Sequence, residues 1–281
     1  MRSSACSIYQ MVAKGIAAEN RILLEVLHRR FSGPFSVGDA AEALKIEPTR
    51  ARRLLAQFVT QGWLARIRRN VYRTVPLGAT APSEWREDPW LVAAHTFAPC
   101  YLAGWTACEH WGLTEQLFRD IVVVTNRLVR HREVEIQGTR YLLNVRRSGA
   151  FFGLQNIWRA QVAVPMSDPT RTVLDLLDRP ALAGGVRSMG DMLGAYFQSS
   201  HRNDVLLAEY AKKLGNRTVY KRLGYLIETL SIHSEELLKV CRERMSSGVS
   251  LIEPSGSKTG PILKRWNLRL NVEVAVPPTL S

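Results

Sequence analysis

The chain has no run of the roughly eighteen consecutive apolar residues that a membrane-spanning helix requires, so no span and no membrane partner are expected. Residues Met1 to Gln10 carry a charge but lack a continuous apolar core, which argues against a secretory signal. Cysteine is scarce. Four residues, Cys6, Cys100, Cys108 and Cys241, are too scattered over 281 positions for a disulfide framework, and a reducing cytoplasm is the expected location. Acidic residues are outnumbered, 25 against 38 Lys and Arg, leaving a net charge of +13 that favours a polyanionic partner. No internal repeat or low-complexity tract stands out. What is present is ordinary for a soluble globular protein, with 46% apolar and 22% charged residues. The length suffices for two domains, each able to bury a core.

The most informative stretch runs from Ser36 to Thr74. Ser36 can cap a helix, with Asp39 in the capping-box position. Ala40, Ala41 and Leu44 share one face of that helix, and Lys45-Ile46 forms a turn. Pro48 suits the first position of a second helix. Its buried stripe is Ala51, Leu54, Leu55 and Phe58, and Gly62 is placed as a left-handed terminator. Period-two alternation from Trp63 to Arg68 predicts a strand. Arg69-Asn70 makes a plausible hairpin turn, and Val71 to Thr74 returns. An upstream helix, Glu19 to Arg30, closes the core with Ile22, Leu23, Val26 and Leu27. From Thr49 to Arg73 there are seven arginines and no acid. This is the winged helix-turn-helix pattern with recognition helix and wing both basic. The candidate DNA-binding residues are Thr49, Arg50, Arg52, Arg53 and Gln57 on the helix, and Arg66, Arg68 and Arg69 on the wing.

The fold class expected for the whole is α+β, divided as a lead-in over 1–17, the winged domain over 18–76, a linker over 77–88 and a larger domain over 89–281. The lead-in reads as loosely ordered, with a turn or two of helix available from Ile8 to Ala18. Helices are also predicted for Pro89–Phe97, capped by Asp88, and for Tyr101–Trp111. Short strands follow at Ile121–Thr125, Val134–Ile136, Tyr141–Val145 and Ile157–Val164, with antiparallel pairing expected. Asp168-Pro169 starts a helix over Thr170–Leu177. Further helices span about 189–198, 204–214, 219–230 and 234–245, before a final strand over 268–276.

Candidate chemistry in the larger domain is thin, and no catalytic residue, metal site or cofactor is assigned. Lys258-Thr259 after Gly256 lacks the first glycine of a phosphate loop. His95, Cys100, Cys108 and His110 do not have zinc-ligand spacing, and a core cysteine and a helix-face histidine are the better reading. Glu253 with Lys258 makes a poor nuclease pair. Asp191 with Gly184-Gly185 does not reproduce a nucleotidyltransferase metal site. Lys212, Lys213, Arg217, Lys221 and Arg222 form a second basic cluster on consecutive helices. It is read either as solvated surface or as a contact surface for a partner.

Several stretches together resemble the AbiEi family, the antitoxin partners of bicistronic abortive-infection systems. They are Ala65–Arg73, Tyr101–Gly112, Asp168–Leu177, Lys221–Glu228 and Leu251–Gly256 followed by Trp266–Val272. Asn70 stands where the family's wing more often has Gly, and both tolerate positive φ. The resemblance implies an N-terminal domain that represses its own operon at inverted repeats in the promoter. It also implies a C-terminal domain that opposes a nucleotidyltransferase-type toxin, so the expected partners are double-stranded promoter DNA and that toxin. The basic cluster on the later helices is then the candidate toxin-antagonism surface. A stand-alone winged-helix regulator with a ligand- or protein-binding C-terminal domain is the alternative, and a nuclease-like C-terminal domain is a weaker third.

Overall fold

Ser36 and Asp39 exchange hydrogen bonds that start the central helix of the N-terminal unit. In the computed structural model, which describes residues 17–76, 79 and 85–273, the Asp39 N–H donates to Ser36 Oγ at 3.1 Å and the Ser36 N–H to Asp39 Oδ2 at 2.7 Å. Helix α1 (Ala18–Arg30) leads to a short strand β1 (Phe35–Ser36), then α2 (Val37–Leu44) and α3 (Pro48–Thr60). Lys45, in the left-handed region with φ 53°, turns the chain between them. Pro48 occupies the first turn of α3, and Gly62 follows it at φ 78°. Strands β2 (Leu64–Arg68) and β3 (Val71–Thr74) form the hairpin around Asn70 at φ 65°, with a register shift between Arg66 and Arg68. Strand β1 adds to β3, giving the order β1-β3-β2. Leu24, Leu27, Phe35, Ala51, Leu55 and Phe58 close the core. Ile22, expected inside, is 62% exposed, and Leu24 takes its place one helical turn before Leu27 and His28. The expected helix from Ile8 lies almost wholly outside the described residues, as does the end of the expected strand 268–276.

The chain divides into two compact units, Met1–His95 with Ala160–Val162, and Thr96–Arg159 with Ala163–Ser281. The elements after the winged module are α4 (Pro89–Thr96), β4 (Cys100–Leu102), α5 (Gly104–His110), β5 (Ile121–Thr125), β6 (Glu133–Ile136), β7 (Thr139–Val145), β8 (Leu154–Arg159) and β9 (Val162–Ser167). They continue with α6 (Pro169–Asp178), α7 (Val186–Gln198), α8 (Asp204–Leu214), α9 (Thr218–Thr229), α10 (Glu235–Arg244), β10 (Ser250–Leu251), β11 (Ile262–Leu263) and β12 (Leu268–Arg269).

Asp88 caps α4, accepting from the Trp90 N–H at 2.8 Å. The helix expected over Tyr101–Trp111 is instead a strand and a shorter helix. Strand β4 pairs antiparallel with β5 and parallel with β9, which buries Tyr101 and Leu102 inside the sheet. Gly104, at φ 58°, makes the break; a Cβ there would come within 2.5 Å of the Leu182 carbonyl oxygen. The strand expected over Ile157–Val164 is likewise two strands, β8 and β9, turned at Ala160 with φ 52°.

The sheet is mixed, in the order β6-β7-β5-β4-β9-β8. Antiparallel pairing holds for β4–β5 and β6–β7, but β5 and β7 run parallel. The hairpin partner β6 lies on the outer side of β7, so β7 returns beside β5 in the same direction without a crossover helix.

Every residue of α6 is buried, including three charged ones. Asp168 caps it by accepting from the Arg171 N–H at 2.7 Å, and Tyr210 donates to the same carboxylate at 2.9 Å. Arg171 Nε donates to Asp175 Oδ1 at 3.1 Å, and Tyr101 Oη donates to Asp175 Oδ2 at 3.1 Å. The run Asp168–Leu177 therefore supplies both the core and its internal polar network. Helix α6 packs against α5, α7, α8 and α9. Trp266, fully buried, lies against Gly224 of α9, and its Nε1–H donates to Glu228 Oε2 at 2.8 Å.

Candidate nucleic-acid interface

Helix α3 buries Ala51, Leu55 and Phe58 and leaves Leu54 half-buried. The same 3.6-residue period turns Thr49, Arg50, Arg52, Arg53 and Gln57 outward, and all five are exposed. On the hairpin, period-two alternation puts Ala65 and Ile67 inside and Arg66 and Arg68 outside, and Leu64 at the strand's start is buried as well. Arg69 is exposed at the turn. Arg66 Nε donates to the Arg68 carbonyl at 3.4 Å, which steadies the wing tip. Among the described residues, none of these eight side chains is engaged in an ion pair. The seventh arginine of the stretch is different. Arg73 is half-buried, ion-paired with Glu87, and donates to the Phe31 carbonyl at 3.3 Å. The acid-free stretch in sequence is thus not acid-free in space, and Arg73 links β3 to Glu87 and to the end of α1.

Behind this face, His95 lies 3.7 Å from Asp39. Burial holds the imidazole below its ordinary pKa of 6.5, against the pull of Asp39. Burial raises the Asp39 carboxyl, but the Ser36 hydrogen bonds and His95 outweigh it, so the group sits below the usual carboxylate range.

Residues 21–75 match the sequence model of a family described as transcriptional regulator, AbiEi antitoxin. The N-terminal module is thus similar to the AbiEi antitoxin regulators over these residues. The match runs from α1 through β3 and so coincides with the helix-turn-helix and its wing. It indicates a role as an antitoxin and transcriptional regulator, a class that is generally non-enzymatic. No curated protein matches the chain. The AbiEi-like stretches from Tyr101 onward lie outside the matched segment.

The second basic cluster does not hold together as a surface. Lys221 and Arg222 are buried, at 0% and 4% exposure. Lys221 Nζ donates to the Gly248 carbonyl and, at 3.1 Å, to Ser250 Oγ. Arg222 donates to the carbonyls of Leu177, Asp178, Leu251 and Ile252, which ties the end of α6 to strand β10. Arg217 is exposed, but its guanidinium bonds the Arg244 and Met245 carbonyls at the end of α10. Lys212 and Lys213 remain as exposed cations. A charge run on consecutive helices reads as solvated, and nothing local reveals that distant carbonyls need donors.

The remaining chemical candidates have structural roles. Glu253 is 7% exposed and accepts from the Val186 N–H that opens α7 and from Ser255. Cys108 is a core residue and His110 lies on the exposed side of α5. Burial pushes the Cys100 and Cys241 thiols up to about 12. Among the described residues, no group of three or more His, Cys, Asp or Glu side chains is gathered as a metal site, and no helix is long and apolar enough to cross a membrane.

Sequence reasoning missed one grouping. Lys213 lines a cavity of about 500 Å³ together with Arg146, Arg147 and Arg179. The Arg146–Arg147 pair, Arg179 and Lys213 are far apart along the chain, and only the sheet and the ends of α6 and α8 bring them together.

Proposed function

We propose that this chain is an antitoxin that represses its own operon by binding promoter DNA, and that it counteracts a nucleotidyltransferase-type toxin. One observation carries the DNA reading. Eight exposed polar and basic side chains, without an ion-paired partner among the described residues, lie on the two elements that a winged helix-turn-helix offers to a duplex. Thr49, Arg50, Arg52, Arg53 and Gln57 enter the major groove, with Arg52 or Arg53 forming a bidentate pair with guanine. Such a pair discriminates by about 1–3 kcal/mol per base. Arg66, Arg68 and Arg69 grip phosphates or the adjacent minor groove and add affinity without sequence information.

The toxin reading rests on the AbiEi match and on the stretches of resemblance that continue to Val272. The division of labour is placed at residues 77–88, the winged part acting on DNA and the remainder on the toxin, with the residues up to His95 grouping with the winged unit in the fold.

The test has two arms. Arg52→Ala with Arg53→Ala is expected to abolish the preference for the DNA upstream of the gene over random duplex in a gel-shift titration; unchanged binding removes the groove assignment. Co-expression with the product of the neighbouring reading frame should rescue growth, and should still do so when residues 1–76 are deleted. Loss of rescue on that deletion would refute the division of labour.

A further inference from the structure

We propose that the second unit carries a binding pocket for a polyphosphate group, formed by Arg146, Arg147, Arg179 and Lys213 around Phe152. Arg146 and Arg147 follow the last bonds of β7, Arg179 ends α6 and Lys213 lies in the last turn of α8. The cavity they line measures about 500 Å³, the size of a site for a nucleotide-scale molecule, and no acidic residue lines it. Asp178 lies behind the cations, with its side chain 4% exposed. It accepts from Arg146 and, at 2.5 Å, from Asn216 Nδ2, while Arg179 Nε is 4.0 Å away. Asp178 is set against four cations, and of the charges just beyond them Arg132 adds to the positive side and buried Asp175 to the negative, so the concave space stays net positive. Like charges gathered on one wall repel, and an anion in the cavity relieves that repulsion. Arg179 feels this directly: burial and then the neighbouring Arg146 hold its guanidinium below the ordinary range.

The ring of Phe152 is part of the same device. Lys213 Nζ lies 4.5 Å from its centroid, and Arg171 Cζ lies 4.1 Å from it, deep in the core. These contacts hold Lys213 at the pocket wall instead of letting it extend into water. Arg179 is held in turn by a 3.2 Å bond to Asn144 Oδ1. The guanidinium forks match phosphate oxygens, and each phosphoryl group brings about −1.5 to −2 charges. Two or more linked phosphoryl groups therefore balance the site, whereas a single carboxylate does not. The ligand is a nucleoside polyphosphate or an inorganic polyphosphate, and its binding is independent of the promoter interface.

Calorimetric titration of the full chain with inorganic triphosphate, with ATP and with adenosine, at physiological ionic strength, tests this. Saturable binding of triphosphate and none of adenosine is expected. Binding of ATP well above triphosphate identifies a nucleotide as the source, and equal binding identifies the inorganic chain. Arg147→Glu with Lys213→Glu, both at exposed positions, should weaken triphosphate at least about tenfold with the circular dichroism unchanged. Lys213→Arg should restore most of the affinity, and Arg52→Ala with Arg53→Ala should leave it in place. The proposal is overturned if triphosphate and ATP show no saturable binding, or if the double charge reversal leaves the affinity unchanged. It is equally overturned if the α3 substitutions abolish binding, or if the pocket substitutions weaken only a DNA duplex.

Discussion

At the scale of single residues, identical charges have opposite meanings according to what surrounds them. Arg222 and Lys212 belong to the same basic run in sequence, yet Arg222 is 4% exposed and satisfies four carbonyls while Lys212 faces solvent. Arg222→Met should destabilise the chain by about 3–5 kcal/mol, because buried carbonyls lose their donor and nearby Asp178 and Glu253 lose a countercharge. Lys212→Ala should change stability by no more than about 0.5 kcal/mol. Urea denaturation midpoints of the two variants separate the cases, and equal midpoints would refute the buried role. Arg73 follows the same logic beside the basic face of α3 and the wing, where Glu87 pairs with it and removes it from the set proposed for DNA.

At the scale of elements, α2, α6 and α8 begin where a capping side chain accepts from a free N–H group, and α2 and α8 end on a left-handed residue. Ser36→Ala removes one half of the α2 capping box and should cost about 1 kcal/mol, read from the thermal or urea transition of the N-terminal unit. Gly224→Ala, normally favourable inside a helix, should destabilise here because the new methyl meets the ring of buried Trp266. Helix α4 contributes a pH dependence through His95. Its folded-state pKa is lowered from 6.5, so the unfolded chain binds the proton first as pH falls. The contribution is therefore complete above about pH 6.5 and is lost progressively below it. The melting temperature should fall as the pH drops below about 6.5, and His95→Gln should flatten that fall. An unchanged slope in the variant would exclude His95 as its origin.

At the scale of the whole molecule, charge rather than shape gives the quantitative expectation. A net charge of +13 makes non-specific attraction to any polyanion certain, so affinity at a single salt concentration carries little information. If about five phosphates are neutralised by the helix and wing, log K should fall with log[salt] at a slope of about −4 to −5. Removing Arg66 or Arg69 should reduce the steepness by about one while leaving the ranking of operator sequences unchanged. A slope near zero would refute the duplex-gripping role of this face.

Much of the winged module was legible because its signals are local. The Ser36–Asp39 box, Pro48, Gly62 and Asn70 each act within a few residues of themselves, and the periods of α3 and β2 sort inside from outside without any distant partner. The same holds for Asp168-Pro169 at the start of α6. The structure departs from the sequence reading where a residue's fate depends on something far along the chain. Tyr101 and Leu102 became a strand because β5 and β9 lie on either side of them. Ile22 lost its place to Leu24 because the core it faces is built by α2 and α3. Lys221 and Arg222 went inside because carbonyls near residues 177 and 251 required donors. Sequence alone determined the exposed basic faces of α3 and the hairpin, since helical and strand periods and end caps are properties of neighbouring residues. Only the tertiary structure decided which cations are surface, which are core and which line a pocket, since burial and charge pairing depend on residues that the chain brings together from a distance.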